Sequence, residues 1–213
     1  MRILITAGPT WEPIDAVRFI GNRSSGKLGL ALVEAALNEG HQVSLLLGPG
    51  VATPSGPATR IDRFESSSDL AQLLDQHFPN HDVLIMAAAV ADYRPQEVHC
   101  GKRQRKGTPD STSSWVLRLE LQPDLVAHLG RTKRPDQRIV AFALEEPQNL
   151  QRRGAEKLKR KHVDAIIANS LDTMESDEIQ GLWLTADGHS EQLPRMNKAA
   201  FAGWLMRAIK ERL

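Results

Sequence analysis

The sequence predicts an α/β protein built on an open, doubly wound and mostly parallel sheet. Apolar runs of strand length alternate along the chain with amphipathic runs of helix length. Residues 83–90 form an unbroken apolar run, as expected of a central parallel strand that is buried on both faces. A long loop that carries glycines and hydroxyls, residues 6–29, joins the first strand to the first helix. This β-α-β-α-β rhythm favours a parallel sheet with helices on both faces.

Each element follows from a local pattern. Strands are predicted at residues 2–7, 42–47, 83–90, 139–144 and 164–168. Helices are predicted at residues 26–38, 69–78, 149–161 and 198–212, with Ser66 or Ser67 as the cap of the second. Asp187-Gly188 predicts a β-hairpin over about 181–194. Residues 94–114 lack periodicity and are predicted to form a mobile surface loop.

Composition limits the function classes. At 213 residues with 41% hydrophobic content, the chain is expected to form one domain, residues 1–213. A net charge of +1 gives no general attraction to nucleic acid or to an acidic membrane. The single cysteine, Cys100, excludes an intrachain disulfide and fits a reducing compartment. No run reaches the length of a membrane span and no signal-peptide pattern is visible, so a cytoplasmic protein is expected.

The loop at residues 6–29 is a candidate phosphate site, because helix N-termini reached through glycines attract anions. It lacks the Gly-x-Gly-x-x-Gly fingerprint, and Ser24-Ser25-Gly26-Lys27 is followed by Leu28 rather than by the hydroxyl residue of a Walker A loop. The candidate phosphate-loop residues are Gly8, Ser24, Ser25, Gly26 and Lys27. The alternative is an ordinary entry loop whose serines cap the helix.

Two further segments carry charge near predicted strand ends. Asp92 follows the alanine-rich end of the third strand, where it could hold a ribose hydroxyl or the water shell of Mg²⁺, or simply cap a turn. The basic residues of the 94–114 loop could clamp a polyphosphate or could be an ordinary solvated run. They are Lys102, Arg103, Arg105 and Lys106.

Other candidate site residues have both a functional and a structural interpretation when each is considered by itself. Lys157 and Lys161 share one helix face, which could be a site or plain surface. Phe142 could stack on a base or belong to the core, and Asn169 could orient a ligand or cap a turn. The histidines show no metal-ligand spacing, and no Ser/His/Asp arrangement is visible.

Taken together, these motifs resemble phosphopantothenoylcysteine synthetase, in order and approximate spacing, from residue 2 to about residue 210. The opening segment is long enough to be highly specific. The matching motifs are Gly8-Pro9-Thr10, Glu12-Pro13-Ile14-Asp15, Val17-Arg18-Phe19-Ile20, Asn22, Ser24-Ser25-Gly26-Lys27, Gly29, Ala88-Ala89-Val90-Ala91-Asp92-Tyr93, Pro123-Asp124-Leu125, Phe142-Ala143-Leu144-Glu145, Lys157-Leu158-Lys159-Arg160-Lys161 and Ala168-Asn169. Jointly they outweigh the separate alternatives.

The resemblance implies a Rossmann-like ligase of coenzyme A synthesis. Such enzymes join 4′-phosphopantothenate to L-cysteine, and bacterial-type members use CTP rather than ATP. The substrate carboxylate attacks the α-phosphate and releases pyrophosphate, and the cysteine amine then attacks the acyl-cytidylate and releases CMP. Mg²⁺ on the nucleotide and a homodimer with the site near the subunit interface are also implied.

The resemblance also implies residue roles. Asn22 and Arg18 would act at the activated acyl group, and Lys102 would lie on a flap, about residues 94–114, that covers the intermediate. The nucleotide would be bound by Ala88, Asp92, Lys102, Pro123, Asp124, Leu125, Val126, Phe142, Lys157 and Lys161. Asp92 is the candidate for contact with the metal.

The chain departs from the family pattern in three ways. Lys102-Arg103-Gln104-Arg105 replaces the usual Lys-Ile-Lys-Lys of the flap. Glu145-Glu146-Pro147 replaces a Glu-Thr start and lengthens the segment between Phe142 and Lys157 by one residue. The flavin-dependent decarboxylase that precedes many bacterial members is absent from this sequence, so we expect no flavin here, and a separate or fused decarboxylase as a partner.

Two rival functions remain to be compared with this one. An NAD(P)-dependent reductase is disfavoured by the missing glycine fingerprint and by Tyr93, which has Glu97 rather than a lysine four residues later. A non-catalytic nucleotide-binding subunit is disfavoured by the presence of Asn22 and Lys102.

Overall fold

The structure, a computed structural model, describes residues 1–54, 59–104, 114–171 and 176–213. Its strands are β1 Arg2–Ala7, β2 Trp11–Pro13, β3 Phe19–Gly21, β4 Gln42–Leu47, β5 Thr59–Arg63, β6 Val83–Met86, β7 Tyr93–Pro95, β8 Leu119–Leu121, β9 Arg138–Glu145, β10 Ala165–Ser170, β11 Glu178–Thr185 and β12 Ser190–Asn197. Its α-helices are α1 Lys27–Asn38, α2 Ser67–His77, α3 Leu125–Thr132, α4 Leu150–Lys161 and α5 Lys198–Arg212.

One large sheet organises the described residues. Its strands lie in the order β12-β11-β10-β9-β6-β1-β4-β5. Every pair from β10 to β5 is parallel, and β11 and β12 add an antiparallel hairpin at one edge. The chain winds outward from β1 through β4 to β5 and then returns to β6 on the other side of β1. The predicted doubly wound, mostly parallel sheet is therefore confirmed, and its switch point lies between β1 and β6.

Helices cover both faces of this sheet and create two apolar cores. On one face α1 and α5 pack through residues such as Leu32 and Phe201, both fully buried. On the other face α2, α3 and α4 contribute residues such as Leu70, Leu129 and Leu158. Gly29 lets α1 lie directly on β1, because a Cβ at that position would come 2.3 Å from the Cβ of Ala7. No described helix combines the length and the apolar character needed to cross a bilayer.

Most predicted elements occur within a few residues of the predicted bounds. The strand predicted at 83–90 is shorter than expected and ends at Met86, because residues 87–91 bond instead to the turn after β1. Ser66, not Ser67, caps α2, in a capping box with Asp69. The C-terminal hairpin is longer than predicted and covers 178–197. Helix α3 and strand β5 were not predicted from the sequence.

The two long loops contain structure that the sequence patterns did not predict. Within residues 6–29, β2 pairs with β3 in an antiparallel ribbon. At the start of the 94–114 segment, β7 pairs with β8 in a second ribbon, so this end of the predicted mobile loop is regular. Residues 105–113, which include Arg105 and Lys106, lie outside the described residues, and so does the prediction for those two side chains.

Candidate active site

A cleft of about 1550 Å³ opens at the carboxyl ends of the parallel strands, beside the switch point. This is where doubly wound sheets bind ligands. Its walls come from the segment before α1, the turn after β6, the N-terminal part of α3, and one face of α4. The predicted site residues that line it are Asn22, Ser24, Ser25, Gly26, Lys27, Ala88, Asp92, Pro123, Asp124, Leu125, Val126, Phe142, Lys157, Lys161 and Asn169.

The floor of the cleft is fixed by hydrogen bonds between the turns that follow β1 and β6. The hydroxyl of Thr6 accepts from the N–H of Ala88 at 3.0 Å, and the hydroxyl of Thr10 accepts from the N–H of Ala91 at 3.0 Å. Between them, the N–H of Ala89 donates to the carbonyl of Gly8 at 2.9 Å. Gly8 is not among the lining residues: its backbone has φ +89°, and a Cβ there would lie 2.7 Å from Val51 Cγ2.

Helix α1 begins at the cleft without a side-chain cap. Gly26 is the N-cap residue, in a left-handed conformation with φ 70°, and no side chain of the described residues caps the first turn. The alternative in which a serine caps this helix is therefore wrong. The helix N-terminus, with its partial positive charge, is available to an anion in the cleft. Lys27 lines the same region, with Nζ 2.6 Å from Asp177 Oδ1.

The three predicted catalytic residues do not lie together. Asn22 lines the cleft, and its Nδ2 donates to the carbonyl of Val90 at 2.8 Å. Arg18 and Lys102 are absent from the lining. Arg18 instead donates from Nη2 to the carbonyl of Arg103 at 2.6 Å, and Lys102 is exposed. The structure thus brings the Arg18 side chain to the backbone of the residue after Lys102, and neither Arg18 nor Lys102 lines the cleft.

The wall formed by α3 and α4 carries paired charges. Asp124 caps α3 by accepting from the N–H of Ala127 at 3.1 Å, and Lys161 Nζ lies 2.8 Å from both Asp124 carboxylate oxygens. Burial raises the pKa of Asp124, but the hydrogen bonds from Lys161 and Ala127 outweigh it and lower the pKa below its usual value. Lys157 Nζ lies 2.6 Å from Glu145 Oε1.

Asp92 and Phe142 both line the cleft, but they differ in their contacts with the rest of the protein. The carboxylate of Asp92 is exposed and has no hydrogen-bond or ion-pair partner among the described residues, so the turn-cap alternative is wrong. Phe142 packs edge-on against Phe201, with ring centroids 6.2 Å apart, and also lines the cleft. It is both a core residue and a wall residue.

Several basic residues that line the cleft were not predicted from the sequence. Arg131 and His128 reach it from α3, Arg160 from α4, and Lys198 from the start of α5. Burial and the nearby Lys27 lower the pKa of Lys198. The signal for the α3 residues was Pro123-Asp124, a helix-start pattern.

The described residues contain no group of three or more His, Cys, Asp or Glu side chains that could hold a metal ion. A magnesium ion that arrives with a nucleotide needs only one or two carboxylates, because the phosphates supply other ligands. The carboxylate of Asp92, which has no side-chain partner in the described part of the chain, fits that requirement, while Asp124 is already bound to Lys161.

Comparison with known proteins gives one consistent family. Residues 1–213 match the family described as DNA/pantothenate metabolism flavoprotein C-terminal domain. The chain is 36% identical to the coenzyme A biosynthesis bifunctional protein CoaBC of Vibrio cholerae, over 100% of this chain and 53% of that protein. It is 39% identical to a prokaryotic cysteine/cysteine sulfinic acid decarboxylase, over 80% of this chain and 46% of that protein. The chain thus spans about half the length of the curated relatives it matches.

A solved structure supports the same relationship. The crystal structure of the C-terminal domain of CoaBC superposes with a TM-score of 0.81 at 37% identity, over 98% of this chain and 93% of that chain. A Cab2 variant in complex with phosphopantothenate-cysteine superposes with a TM-score of 0.79 at 18% identity, over 99% and 85% of the two chains, and shows a shared fold.

Proposed function

Because the chain belongs to the DNA/pantothenate metabolism flavoprotein C-terminal domain family, we propose that it is a ligase of coenzyme A biosynthesis that joins 4′-phosphopantothenate to L-cysteine. The observation that carries the proposal is the cleft at the switch point. There, the uncapped N-terminus of α1 faces a wall of basic side chains, so that a polyphosphate would meet positive charge from two sides. The CoaBC relatives, named for coenzyme A biosynthesis, support the same reaction class.

The reaction needs an activated acid, because a free carboxylate is a poor acyl donor. In the proposed first step, the carboxylate of 4′-phosphopantothenate attacks the α-phosphate of a nucleoside triphosphate, and pyrophosphate leaves. In the second step, the amine of cysteine attacks the acyl carbon, the amide forms and the nucleoside monophosphate leaves. Both steps concentrate negative charge, so fixed donors and cations lower their barriers.

We assign the residues to these steps by position. Asn22, which lines the cleft and donates from Nδ2 to the carbonyl of Val90, would contact the acyl group during amide formation. Lys157, Lys161 and the start of α3 would bind the nucleotide, with Phe142 as the apolar part of that wall. Arg18 and Lys102, which do not line the cleft in this structure, would supply positive charge for the first step.

The nucleotide is proposed to be CTP, and Mg²⁺ to accompany it. When bound, the metal would neutralise triphosphate charge and orient the reacting phosphate. Asp92 would hold it through its free carboxylate. No flavin is part of the proposal, because decarboxylation is assigned to a separate or fused partner.

A homodimer and a cytoplasmic location complete the proposal. The two ribbons carry exposed apolar side chains that a second copy could cover, namely Phe19, Tyr93, Leu119 and Leu121, of which Tyr93 and Leu121 also line the cleft. The exposed thiol of Cys100 fits a reducing compartment.

The test is to incubate the chain with 4′-phosphopantothenate, cysteine and Mg²⁺, with CTP and ATP in separate reactions. We expect the amide product by mass, together with pyrophosphate and CMP. Mg-CTP should also raise the melting temperature, because a ligand that binds only the folded state stabilises it, whereas NADPH should not. Absence of both pyrophosphate and product with every nucleotide would refute the proposal.

A further inference from the structure

Asp15 carries a buried carboxylate outside the lining of the cleft, and the residue is only 4% exposed. Its Oδ1 accepts from the N–H of Val17 and from the N–H of Arg18, both at 2.9 Å. Its Oδ2 accepts from the N–H of Arg103 at 3.1 Å and lies 3.2 Å from Arg18 Nη2. Both oxygens are therefore fully used, by groups from two segments far apart in sequence.

Those two segments are joined along their length. Arg18 Nη2 donates to the carbonyl of Arg103 at 2.6 Å, which closes a ring of contacts with Asp15. The N–H of Ala16 donates to the carbonyl of Gly101 at 3.3 Å. Lys102 thus has an anchored neighbour on each side, and one of the two anchors is the Asp15 carboxylate.

An indole ring completes the cluster. The guanidinium carbon of Arg103 lies 4.5 Å from the ring centroid of Trp115, and that of Arg18 lies 5.7 Å from the same centroid. Such cation–π contacts hold a guanidinium in a defined orientation. Asp15 therefore belongs to a cluster that sets the position of both cations and of the backbone around Lys102.

We propose that Asp15 is a positioning residue of the ligase reaction, which acts by fixing Arg18 and the backbone on both sides of Lys102. This inference rests on the proposed function. Asp15 itself does not line the cleft, so it acts through its partners and not on the substrate. A carboxylate is required because both of its oxygens accept hydrogen bonds, so every N–H group around it has an acceptor. In an asparagine, the NH₂ group would face one of those N–H groups. The neutral amide would also leave Arg18 without its counter-charge.

The chain offers a matched control for burial and charge. Asp164 is also a largely buried carboxylate: it accepts from the N–H of Ile139 at 2.7 Å and pairs with Lys133 at 2.5 Å. It precedes β10, at the opposite end of the sheet from the cleft. Asp164→Asn should therefore lower the melting temperature without touching the proposed site.

The experiment measures pyrophosphate release with Mg-CTP for the wild type, Asp15→Asn, Asp164→Asn, Arg18→Gln and the double variant Asp15→Asn/Arg18→Gln. Below the melting temperatures of all variants, Asp15→Asn should lower kcat by about 30-fold and change the KM for CTP by less than about threefold. Asp164→Asn should keep the wild-type kcat. In the Arg18→Gln background, Asp15→Asn should lower kcat by less than a further factor of about two, because the effects of residues that act as one unit are not additive.

The backbone amide of Arg103 provides a readout independent of turnover. Its proton resonance in ¹⁵N-labelled protein should move upfield in Asp15→Asn, because the bond to a carboxylate is lost, and should stay in place in Asp164→Asn. An unmoved resonance, a wild-type kcat in Asp15→Asn, or full multiplication of the two single effects would overturn the inference. A wild type without turnover would instead refute the proposed function, and the positioning role would fall with it.

Discussion

Lys161 lies with its ammonium 2.8 Å from both carboxylate oxygens of Asp124, across the gap between α4 and α3. The pair closes the wall of the cleft that is proposed to bind the nucleotide. A second lysine of the same helix, Lys157, is held by Glu145 in the same way. Two cations are thus prepositioned by carboxylates before any ligand is bound, and their predicted roles can be tested one at a time.

The first prediction concerns Lys161. Lys161→Gln should weaken Mg-CTP binding by about tenfold, or about 1.4 kcal/mol, because the cleft loses a cation near the phosphates. Calorimetric titration measures this. Lys159→Gln is the matched control, since Lys159 is exposed on the same helix and does not line the cleft. Equal affinities for the two variants would contradict the assignment.

The second prediction concerns Asn22. Asn22→Ala should slow amide formation by about a hundredfold, as expected when a donor to a developing charge is removed, while pyrophosphate release continues. Acyl-cytidylate should then accumulate, which rapid quench and mass spectrometry can detect. Asn38→Ala, on the exposed end of α1, should behave as the wild type. Unchanged turnover to product in Asn22→Ala would reject the role.

The third prediction concerns the pH dependence of stability at His81. Burial lowers the pKa of this ring, which contacts the carbonyl of His77 at 2.7 Å and the hydroxyl of Ser44 at 2.9 Å. The unfolded chain therefore binds more protons than the folded one below about pH 6.5, so stability is full above that pH and falls as the pH drops through the lowered folded pKa.

His81→Gln should consequently flatten the change of melting temperature between about pH 7 and pH 5, even if its melting temperature is lower throughout. His99→Gln, which alters an exposed ring, should keep the wild-type slope. If the melting temperature changed with pH by the same amount in all three proteins, His81 would not be the source of this pH dependence.

The fourth prediction concerns Gly29. Gly29→Ala should destabilise the fold by about 1–3 kcal/mol, because the new methyl group would overlap Ala7 on β1. Gly203→Ala, in α5, meets only the flexible end of Arg207 at 3.7 Å and should stabilise by about 0.4–1 kcal/mol. Denaturant titration gives both values. Destabilisation of equal size at the two positions would indicate a general cost of replacing glycine within a helix, and not the close packing of Gly29 against Ala7.

The sequence could predict the strands that carry strong hydrophobic runs, and therefore the sheet. It could not predict β5, because Arg60, Asp62 and Arg63 give this edge strand a charged composition. Helix α3 was missed because eight residues are too few for a clear periodicity, although Asp124 marks its start. Asn22, which only the family resemblance assigned to the site, lines the cleft in the structure, and its role stays a prediction.

The position of Arg18 and the proposed role of Asp15 could not be predicted from the sequence alone. Both depend on Arg103 and Trp115, which are far away in sequence and approach only through the tertiary fold. An acid within a loop has no pattern that distinguishes a buried acceptor from a solvated side chain.

The hydrogen bonds that join Thr6 and Thr10 to the turn after β6 have a consequence for molecular design. They join the end of β1 and the turn after it to the turn after β6, so we expect ligand-induced changes at the helical walls more than at this floor. Inhibitors that contact the floor should therefore bind with similar affinity to relatives that have the same two threonines. Selectivity between such enzymes should come instead from groups directed at wall residues such as Arg131 and Arg160.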